Sequence, residues 1–264
     1  MFTNYARRRA IGALFVSMMT PPAFLRAASQ ERWRLYAMED FLPYSFMAEG
    51  RFRGIDVEIL DRAADALGVG LDYVPLPWRR ALLAFDTSND DALFQLTPTE
   101  ERARKWLMVG PIRNTVIVPV VRADSPFTDR LRPERLYRLE DLRGRRVGVV
   151  RGFTYYEAFD RADYFIRESS IDERVSLRKL LLGRVDVAIM GRANARHVIR
   201  SLGMEKELRV LATPLFREGR YIAFHRNAIG LGRGGRLQRE LDRLHADGTV
   251  AAILRRYGEG SDAG

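Results

Sequence analysis

The chain has 264 residues, of which 47% are hydrophobic and 30% are charged, and it contains no cysteine. This composition is typical of a globular protein and excludes the disordered and fibrous classes. The absence of thiols excludes disulfides, cysteine-based metal sites and a cysteine nucleophile. The three histidines lie far apart and form no pair with metal-ligand spacing, so we expect neither a metal nor a cofactor.

The net charge of +10 is carried almost wholly by arginine. Residues 1–28 contain four arginines and no acid, so 10 minus 4 leaves +6 on the rest of the chain. There the arginines are interspersed with acids, which is typical of a solvated mixed surface. Aromatic residues do not alternate with the basic ones, so we expect no nucleic-acid partner.

The first 28 residues have the three parts of a secretory signal. Arg7-Arg8-Arg9 precede an apolar stretch over residues 10–19, and small residues follow at Ala27-Ala28. The apolar stretch is shorter than the roughly 20 residues that cross a bilayer. We therefore predict a signal peptide at 1–28 and a periplasmic mature protein. An ordinary secretory signal and a twin-arginine signal both fit, and a helix packed on the domain is the alternative.

Predicted strands and helices alternate after residue 28, which is typical of an α/β architecture. The first set is strand Arg34–Met38, helix Asp56–Leu67, strand Gly70–Val74, helix Arg79–Phe85, and strands Ala92–Leu96 and Val116–Val121. Between the last two strands, Thr97-Pro98-Thr99-Glu100 predicts a helix start. In this interpretation Thr97 is the N-cap and Glu100 completes a capping box.

A second set of elements follows Arg122. It comprises strand Arg145–Val150, helices Thr154–Arg161 and Leu177–Leu182, strand Val185–Met190, helix Ala193–Leu202, strands Leu208–Ala212 and Tyr221–Phe224, and helix Leu237–Arg256 with a break at Gly248. The run Gly230–Gly235 has the look of a phosphate-binding loop. A dinucleotide-binding unit needs a further strand after the next helix, and none is predicted, so we expect a flexible connection there.

Several short motifs occur in a fixed order along the chain. They are Leu42-Pro43-Tyr44-Ser45-Phe46, Gly54–Leu60, Pro77-Trp78, Thr99-Glu100-Glu101-Arg102, Leu142–Val149, Gly183–Ala188 and Leu254–Gly258. Together they resemble the family 3 extracellular solute-binding proteins, the polar amino acid type that serves ABC importers. The resemblance covers nearly the whole chain after the signal. It implies an α/β, two-lobed periplasmic-binding-protein-like fold (type II) with two hinge crossings and a ligand cleft between lobes. Lobe 1 would be 29–120 and 219–264, and lobe 2 would be 121–218.

The resemblance also implies site residues. Arg102, the arginine of the Thr-x-Glu-Arg motif, would hold the ligand's carboxylate, which a planar guanidinium suits. Thr97 would lie beside the bound group at a helix N-terminus. The other candidate ligand-binding residues are Trp78, Phe41, Tyr44, Gln95, Gly152, Phe153, Thr154, Arg80 and Glu39. Alternatives remain open: Arg102 pairing with a surface acid, Trp78 as a core residue and Arg80 as a solvent-exposed one.

One departure from the family pattern affects the choice of ligand. Members that bind α-amino acids usually carry an acid after the second-lobe strand to hold the ammonium group, whereas this chain has Met190-Gly191-Arg192 there. Glu39 or Asp40 is a candidate replacement. The ligand is therefore predicted to be an amino acid or an organic acid.

The function implied by the resemblance is capture of a small carboxylate-bearing solute for an ABC transporter permease, by a monomer without catalysis. Two alternatives share the fold. One is an enzyme similar to cyclohexadienyl dehydratase, with Glu39 or Asp40 as general acid. The other is a ligand-sensing subunit for a membrane receptor.

Overall fold

The computed structural model describes residues 30–128 and 138–259. The signal peptide predicted at 1–28 lies outside the described residues. The strands are β1 (Arg32–Met38), β2 (Asp40–Phe41), β3 (Ser45–Ala48), β4 (Arg51–Arg53), β5 (Gly70–Leu76), β6 (Ala92–Leu96), β7 (Trp106–Arg122), β8 (Arg146–Val150), β9 (Ile166–Ser170), β10 (Val187–Gly191), β11 (Leu208–Val210) and β12 (Phe216–His225). The helices are α1 (Ile55–Leu67), α2 (Trp78–Asp86), α3 (Glu100–Lys105), α4 (Glu157–Arg161), α5 (Glu173–Leu181), α6 (Arg192–Ser201), α7 (Ala228–Ala246) and α8 (Thr249–Arg256). None of the helices in this part of the chain combines the length and hydropathy that a bilayer crossing requires.

The main sheet has strand order β5-β1-β6-β12-β7-β10-β8-β9, and β11 pairs with β7. The pairs at each end are parallel, as expected where helices cover a sheet. In the middle, β12 pairs antiparallel with both β6 and β7, and β7 pairs antiparallel with β10. The sheet therefore consists of two parallel groups joined by antiparallel strands.

Two neighbouring strands connect the lobes, and we call β7 and β12 the hinge strands. Strand β7 is 17 residues long, and its first part pairs with β12 while its second part also pairs with β10 and β11. The pairing of the hinge strands runs from Phe216 opposite Ile117 to His225 opposite Trp106. Both chain crossings therefore lie side by side in one ladder.

The buried hydrophobic residues form separate cores on the two sides of the hinge strands. Two buried clusters are drawn from residues 33–112 and 222–253. Two others are drawn from residues 117–208. Each side therefore buries apolar surface of its own, as a separate lobe requires. The lobe limits at 120/121 and 218/219 stay predictions.

Helix α1 shows how local sequence positions an element beside the cleft. It follows Gly54, whose φ of 134° suits glycine, and a Cβ there would lie 2.3 Å from the carbonyl oxygen of Tyr44. Asp56 lies in its first turn, where a negative charge is favoured. Gly68 ends the helix in the left-handed conformation, as the sequence predicts.

Three sequence predictions are wrong in detail. The N-cap of α3 is Thr99, whose side chain accepts a hydrogen bond from the backbone of Arg102, and Thr97 lies before the helix. Strand β5 continues to Leu76, because its edge position tolerates proline. The run Gly230–Gly235 is part of helix α7 and is not a flexible connection.

The glycines of α7 allow close packing of the helix on the sheet. A Cβ at Gly230 would lie 2.0 Å from the carbonyl oxygen of His225. One at Gly234, a turn later, would lie 2.5 Å from the side chain of Leu107. The spacing of four residues places both glycines on one face of the helix. Their role is therefore contact with the hinge strands.

Candidate functional site: the cleft between the lobes

Two adjacent spaces lie between the lobes. The inner cavity, of about 30 Å³, is lined by Met38, Phe41, Trp78, Gln95, Thr97, Arg102, Phe153, Thr154 and Arg220. The outer cleft, of about 1170 Å³, is lined in part by α2, α3 and the segment from Gly152 to Arg161. Arg102, Phe153 and Thr154 line both spaces. The two lobes are thus closed over a small cavity that adjoins a larger open cleft.

Direct hydrogen bonds join the lobes at the inner cavity. The indole Nε1 of Trp78 donates to the carbonyl oxygen of Gly152 at 3.0 Å. The hydroxyl of Thr97 donates to the carbonyl oxygen of Thr154 at 2.8 Å. Both acceptors lie in the turn after β8, so a single segment of lobe 2 meets the first lobe here.

Two further polar contacts cross the cleft away from the cavity. Arg174 of α5 forms an ion pair with Asp40 at 2.6 Å. The side-chain amide of Asn194, in α6, donates to the carbonyl oxygen of Leu42 at 2.8 Å. These contacts stabilise the closed arrangement of the lobes.

Phe153, from lobe 2, packs against aromatic side chains of lobe 1. Its ring centroid lies 6.1 Å from that of Phe41 and 6.4 Å from that of Trp78, both in edge-on geometry. On its own side it lies 6.1 Å from Tyr155. Phe153 packs against three of the four buried clusters of the described chain. The wall of the cavity is therefore aromatic and comes from both lobes.

Two guanidinium groups converge on Thr97. Arg102 donates from Nη1 to its backbone carbonyl oxygen at 2.7 Å. Arg220, from hinge strand β12, donates from Nη1 to its hydroxyl at 2.6 Å. The hydroxyl thus accepts from Arg220 while donating to Thr154. One threonine orients two cations at the inner cavity.

Arg102 is positioned by the short helix α3 and is largely buried. Burial lowers its pKa, while the acids Glu101 and Asp160 partly offset that effect. Neither acid forms an ion pair with it among the described residues. Asp160 accepts a hydrogen bond from the backbone amide of Tyr155 at 3.0 Å. Arg102 is therefore a charged donor facing both the cavity and the cleft.

Arg220 is only 7% exposed. Burial, with the neighbouring charge of Arg113, lowers its pKa to about 10, so it stays charged at neutral pH. The sequence motifs did not point to this residue. The signal that could have found it is a charged side chain next to the apolar strand predicted at Tyr221–Phe224.

A second buried network lies behind the cavity wall. Arg113, in β7, and Asp56, in α1, form a fully buried ion pair. The amide of Gln95 donates to Asp56 at 3.3 Å and to the hydroxyl of Ser45 at 2.7 Å. The Gln95 carbonyl oxygen accepts from the backbone of Met38 at 3.1 Å. The side chain of Gln95 therefore links α1, β1 and β3.

Tyr44 belongs to this network and not to the cavity. Its ring lies 3.4 Å from the guanidinium carbon of Arg113, and its hydroxyl hydrogen-bonds Glu259 at 3.4 Å. Burial raises the pKa of the Tyr44 hydroxyl well above its ordinary value. The side chain is a neutral packing partner for a buried cation.

The structure brings together most of the predicted site residues. Seven of them line the inner cavity: Arg102, Thr97, Trp78, Phe41, Gln95, Phe153 and Thr154. Gly152 and Arg80 line the outer cleft only, and Arg80 is exposed. Tyr44 and Glu39 line neither space, and Glu39 is exposed.

Among the described residues, no carboxylate lines the inner cavity at the place of an ammonium partner. Asp40 is bound to Arg174, and Glu39 lies at the surface. Arg192, beside the position of the usual acid, donates from Nη2 to the carbonyl oxygen of Ala212 at 2.8 Å. In the part of the chain that the structure describes, no three or more His, Asp or Glu side chains are grouped to hold a metal ion.

Comparison with known proteins places this architecture in a family. Residues 34–260 match the bacterial extracellular solute-binding proteins, family 3. The protein belongs to this family. Its members bind solutes outside the cytoplasm, and the resemblance expected from the sequence motifs is confirmed.

Curated relatives are distant in sequence but similar in extent. The L-cystine-binding protein TcyJ of Escherichia coli strain K12 is 23% identical over 218 residues, which cover 81% of this chain and 78% of that protein. PatH of Vibrio harveyi, named as an amino-acid ABC transporter-binding protein, is 23% identical over 229 residues, covering 81% and 83%.

Solved structures confirm the two-lobed fold with two hinge crossings. A mutant of ArgBP from T. maritima has a TM-score of 0.70 at 24% identity, covering 86% of this chain and 95% of that one. A histidine kinase sensor domain similar to periplasmic binding proteins has a TM-score of 0.74 at 22% identity, covering 86% and 96%. At this level of identity the likeness concerns the fold alone.

Proposed function

We propose that the protein is the substrate-binding component of an ABC importer and captures a small carboxylate-bearing solute between its lobes. The observation that carries this proposal is Arg102, a largely buried guanidinium held on Thr97 at a cavity with aromatic walls. Family membership supports the solute-binding role, and the name of PatH supports the importer. The predicted signal peptide supports a periplasmic location.

Capture follows from the arrangement of charges and rings. In the open state Arg102 meets a carboxylate in water, where the attraction is weak. Closure brings Phe153 and the backbone of Thr154 over the bound group and removes water, which strengthens the guanidinium–carboxylate interaction. Lobe closure is then favoured by the ligand because only the closed state has all the contacts.

The experiment is a thermal-shift screen of amino acids and organic acids, followed by calorimetry on Arg102→Ala. A ligand at 100 times its dissociation constant adds about 2.7 kcal/mol of stability, so a true ligand is easily detected. Removal of Arg102 leaves the ligand carboxylate without its partner and costs on the order of 3–5 kcal/mol, which is more than a hundredfold in affinity.

The matched control is Arg62→Ala, which removes the same charge from the exposed face of α1. It should leave the affinity unchanged. Equal affinity of Arg102→Ala and the wild type would contradict the assignment of the carboxylate site. A screen in which no carboxylate stabilises the protein would contradict the proposed function.

The dehydratase alternative needs a general acid at the cavity, and its candidate acids do not lie there. The candidate general acids were Glu39 and Asp40, and neither lines the inner cavity. Asp40 is committed to the ion pair with Arg174. The sensing alternative shares the same site, and the histidine kinase sensor domain shares the fold. It differs only in the membrane partner, so pull-down of a co-expressed permease or receptor distinguishes the two.

A further inference from the structure

Arg220 lies in an electrostatically unusual position. In the pairing of the hinge strands it is directly opposite Arg113, so two like charges face each other across one ladder. Like charges in that position are destabilising. Arg113 is neutralised by the buried carboxylate of Asp56. Among the described residues, no carboxylate lies within ion-pair distance of Arg220, and its guanidinium donates a hydrogen bond to the neutral hydroxyl of Thr97.

The inner cavity is consequently positive. Arg102 and Arg220 line it, and no carboxylate of the described residues does. Asp160, the nearest acid of lobe 2 to influence Arg102, lines the outer cleft and is held by backbone amides. A buried charge without a counter-ion costs free energy. A cavity of this kind therefore favours an anionic ligand, which provides the negative charge that the lining residues lack.

We infer that the ligand is a small dicarboxylate without an amino group, with one carboxylate on Arg102 and the other on Arg220. This inference rests on the proposed function and specifies its ligand class. Two cations and two carboxylates balance in charge, whereas a zwitterionic amino acid would bring an ammonium group to a cavity with two guanidinium groups and no acid. Such an ammonium group would be repelled.

The geometry favours two separate carboxylates over one shared group. The guanidinium groups hold different atoms of Thr97, and they come from different elements, α3 and β12. Arg102 also faces the outer cleft, whereas Arg220 lines the inner cavity only. The two cations therefore reach the inner cavity from different elements, and of the two only Arg102 also reaches the outer cleft. In the closed structure the inner cavity, of about 30 Å³, has room for only a few atoms, so the ligand would enter as the lobes part, with Phe41, Trp78 and Phe153 as its apolar neighbours.

The test is isothermal titration of the full mature chain with three matched sets of probes. The dicarboxylates are succinate, malate and 2-oxoglutarate, the monocarboxylates are butyrate and 2-oxobutyrate, and the amino acids are alanine and glutamate. We expect at least one dicarboxylate to bind about a hundredfold more tightly than any monocarboxylate, because the second carboxylate gains a buried charged partner.

Arg220→Gln identifies which residue makes the distinction. It should weaken binding of the preferred dicarboxylate by about thirtyfold or more and change monocarboxylate binding by less than about threefold. The matched control is Arg217→Gln, an exposed arginine of the same strand, which should alter neither. Circular dichroism and the unfolding midpoint establish that each variant is folded. The wild-type preference tests the inference even if Arg220→Gln does not fold.

Each remaining outcome overturns the inference. Preference for a monocarboxylate or an amino acid would refute the dicarboxylate assignment and leave the proposed solute-binding function standing. Equal weakening of mono- and dicarboxylates by Arg220→Gln would show that one carboxylate is shared by both arginines. If no carboxylate binds at all, the proposed function fails together with the inference.

Discussion

Arg113 and Arg220 lie opposite each other on the hinge strands, and both are buried, but their surroundings differ. Arg113 has Asp56 as an ion-pair partner and the ring of Tyr44 against its guanidinium carbon. Burial alone would lower its pKa, but the attraction of Asp56 outweighs burial and the pKa is raised. Among the described residues, the hydrogen-bond partner of Arg220 is the hydroxyl of Thr97, and burial lowers the pKa of Arg220. The charge of Arg113 is neutralised by a carboxylate of the protein, whereas the charge of Arg220 faces the cavity.

The largest change in the free energy of unfolding should come from removing Asp56, the acid of the buried ion pair with Arg113. Asp56→Ala leaves Arg113 buried without a counter-ion and should lower the free energy of unfolding by about 3–5 kcal/mol. Urea denaturation measures this value. As a control, Asp72→Ala breaks the half-exposed pair with Arg32, which solvent screens, and should lower the free energy of unfolding much less. Equal costs for the two variants would contradict the contrast between buried and exposed pairs.

Glu173, at the start of α5, gives the acidic counterpart of Arg220. Burial raises its pKa from the ordinary 4.5 to about 7, with nearby Asp172 and Asp40 adding to this and Arg174 opposing it. A buried carboxyl can become neutral by keeping its proton, whereas a buried arginine keeps its proton at neutral pH and so stays charged. The unfolded chain releases the proton near pH 4.5, and the folded chain releases it near pH 7. Stability therefore falls as the pH rises between these values and is constant in this respect above them.

The prediction for Glu173 is measured as a difference between two proteins. Relative to Glu173→Gln, which cannot ionise, the wild type should lose on the order of 3 kcal/mol of unfolding free energy between pH 4.5 and pH 7. Denaturation curves of both proteins across this range give the value. Parallel pH profiles would show that Glu173 ionises equally in the folded and unfolded states.

A smaller effect of opposite sign is expected from Arg220 without ligand. Arg220→Met replaces a buried, unpaired charge with an apolar side chain and should raise the free energy of unfolding by about 1–2 kcal/mol in a buffer free of carboxylates. Urea denaturation in chloride buffer provides the measurement. A loss of several kcal/mol would mean that Arg220 is as well compensated as Arg113, and the comparison would fail.

Much of the fold could be predicted from the sequence because its elements carry local signals. Strand β6 has the predicted bounds, Ala92–Leu96, and α1 ends at Gly68 as predicted. The first half of β7 was not predicted, because Gly110 and Pro111 interrupt a strand that its long pairing with β12 maintains. Tertiary pairing here overrides local propensity.

The predictions for the glycines of α7 and for the N-cap of α3 were wrong for related reasons. Gly230 and Gly234 suggest a loop by propensity, yet they are helical because the sheet approaches them closely. Thr97 and Thr99 both precede the helix, and sequence alone did not distinguish the cap from the residue that holds the arginines. Contacts from distant strands decide both cases.

The candidate site was predicted where it belongs to a motif. Arg102 and Trp78 lie in motifs, Thr97 lies two residues before one, and all three line the cavity. Arg220 has no motif, and its importance arises only when β12 is paired beside β7 and next to Thr97. The sequence predicts that the usual acid after the second-lobe strand is absent, but it carries no signal that Arg220 lies beside the cavity.

The ring of Phe153 has a consequence for the motion of the molecule. It packs against both Phe41 and Trp78, so the lobes cannot separate without breaking both contacts. Withdrawal wets aromatic surface at about 25 cal/mol per Å² and increases the heat capacity. Opening of the lobes should therefore become easier on cooling. The rate of ligand association should show the temperature dependence expected for exposing one phenyl ring to water.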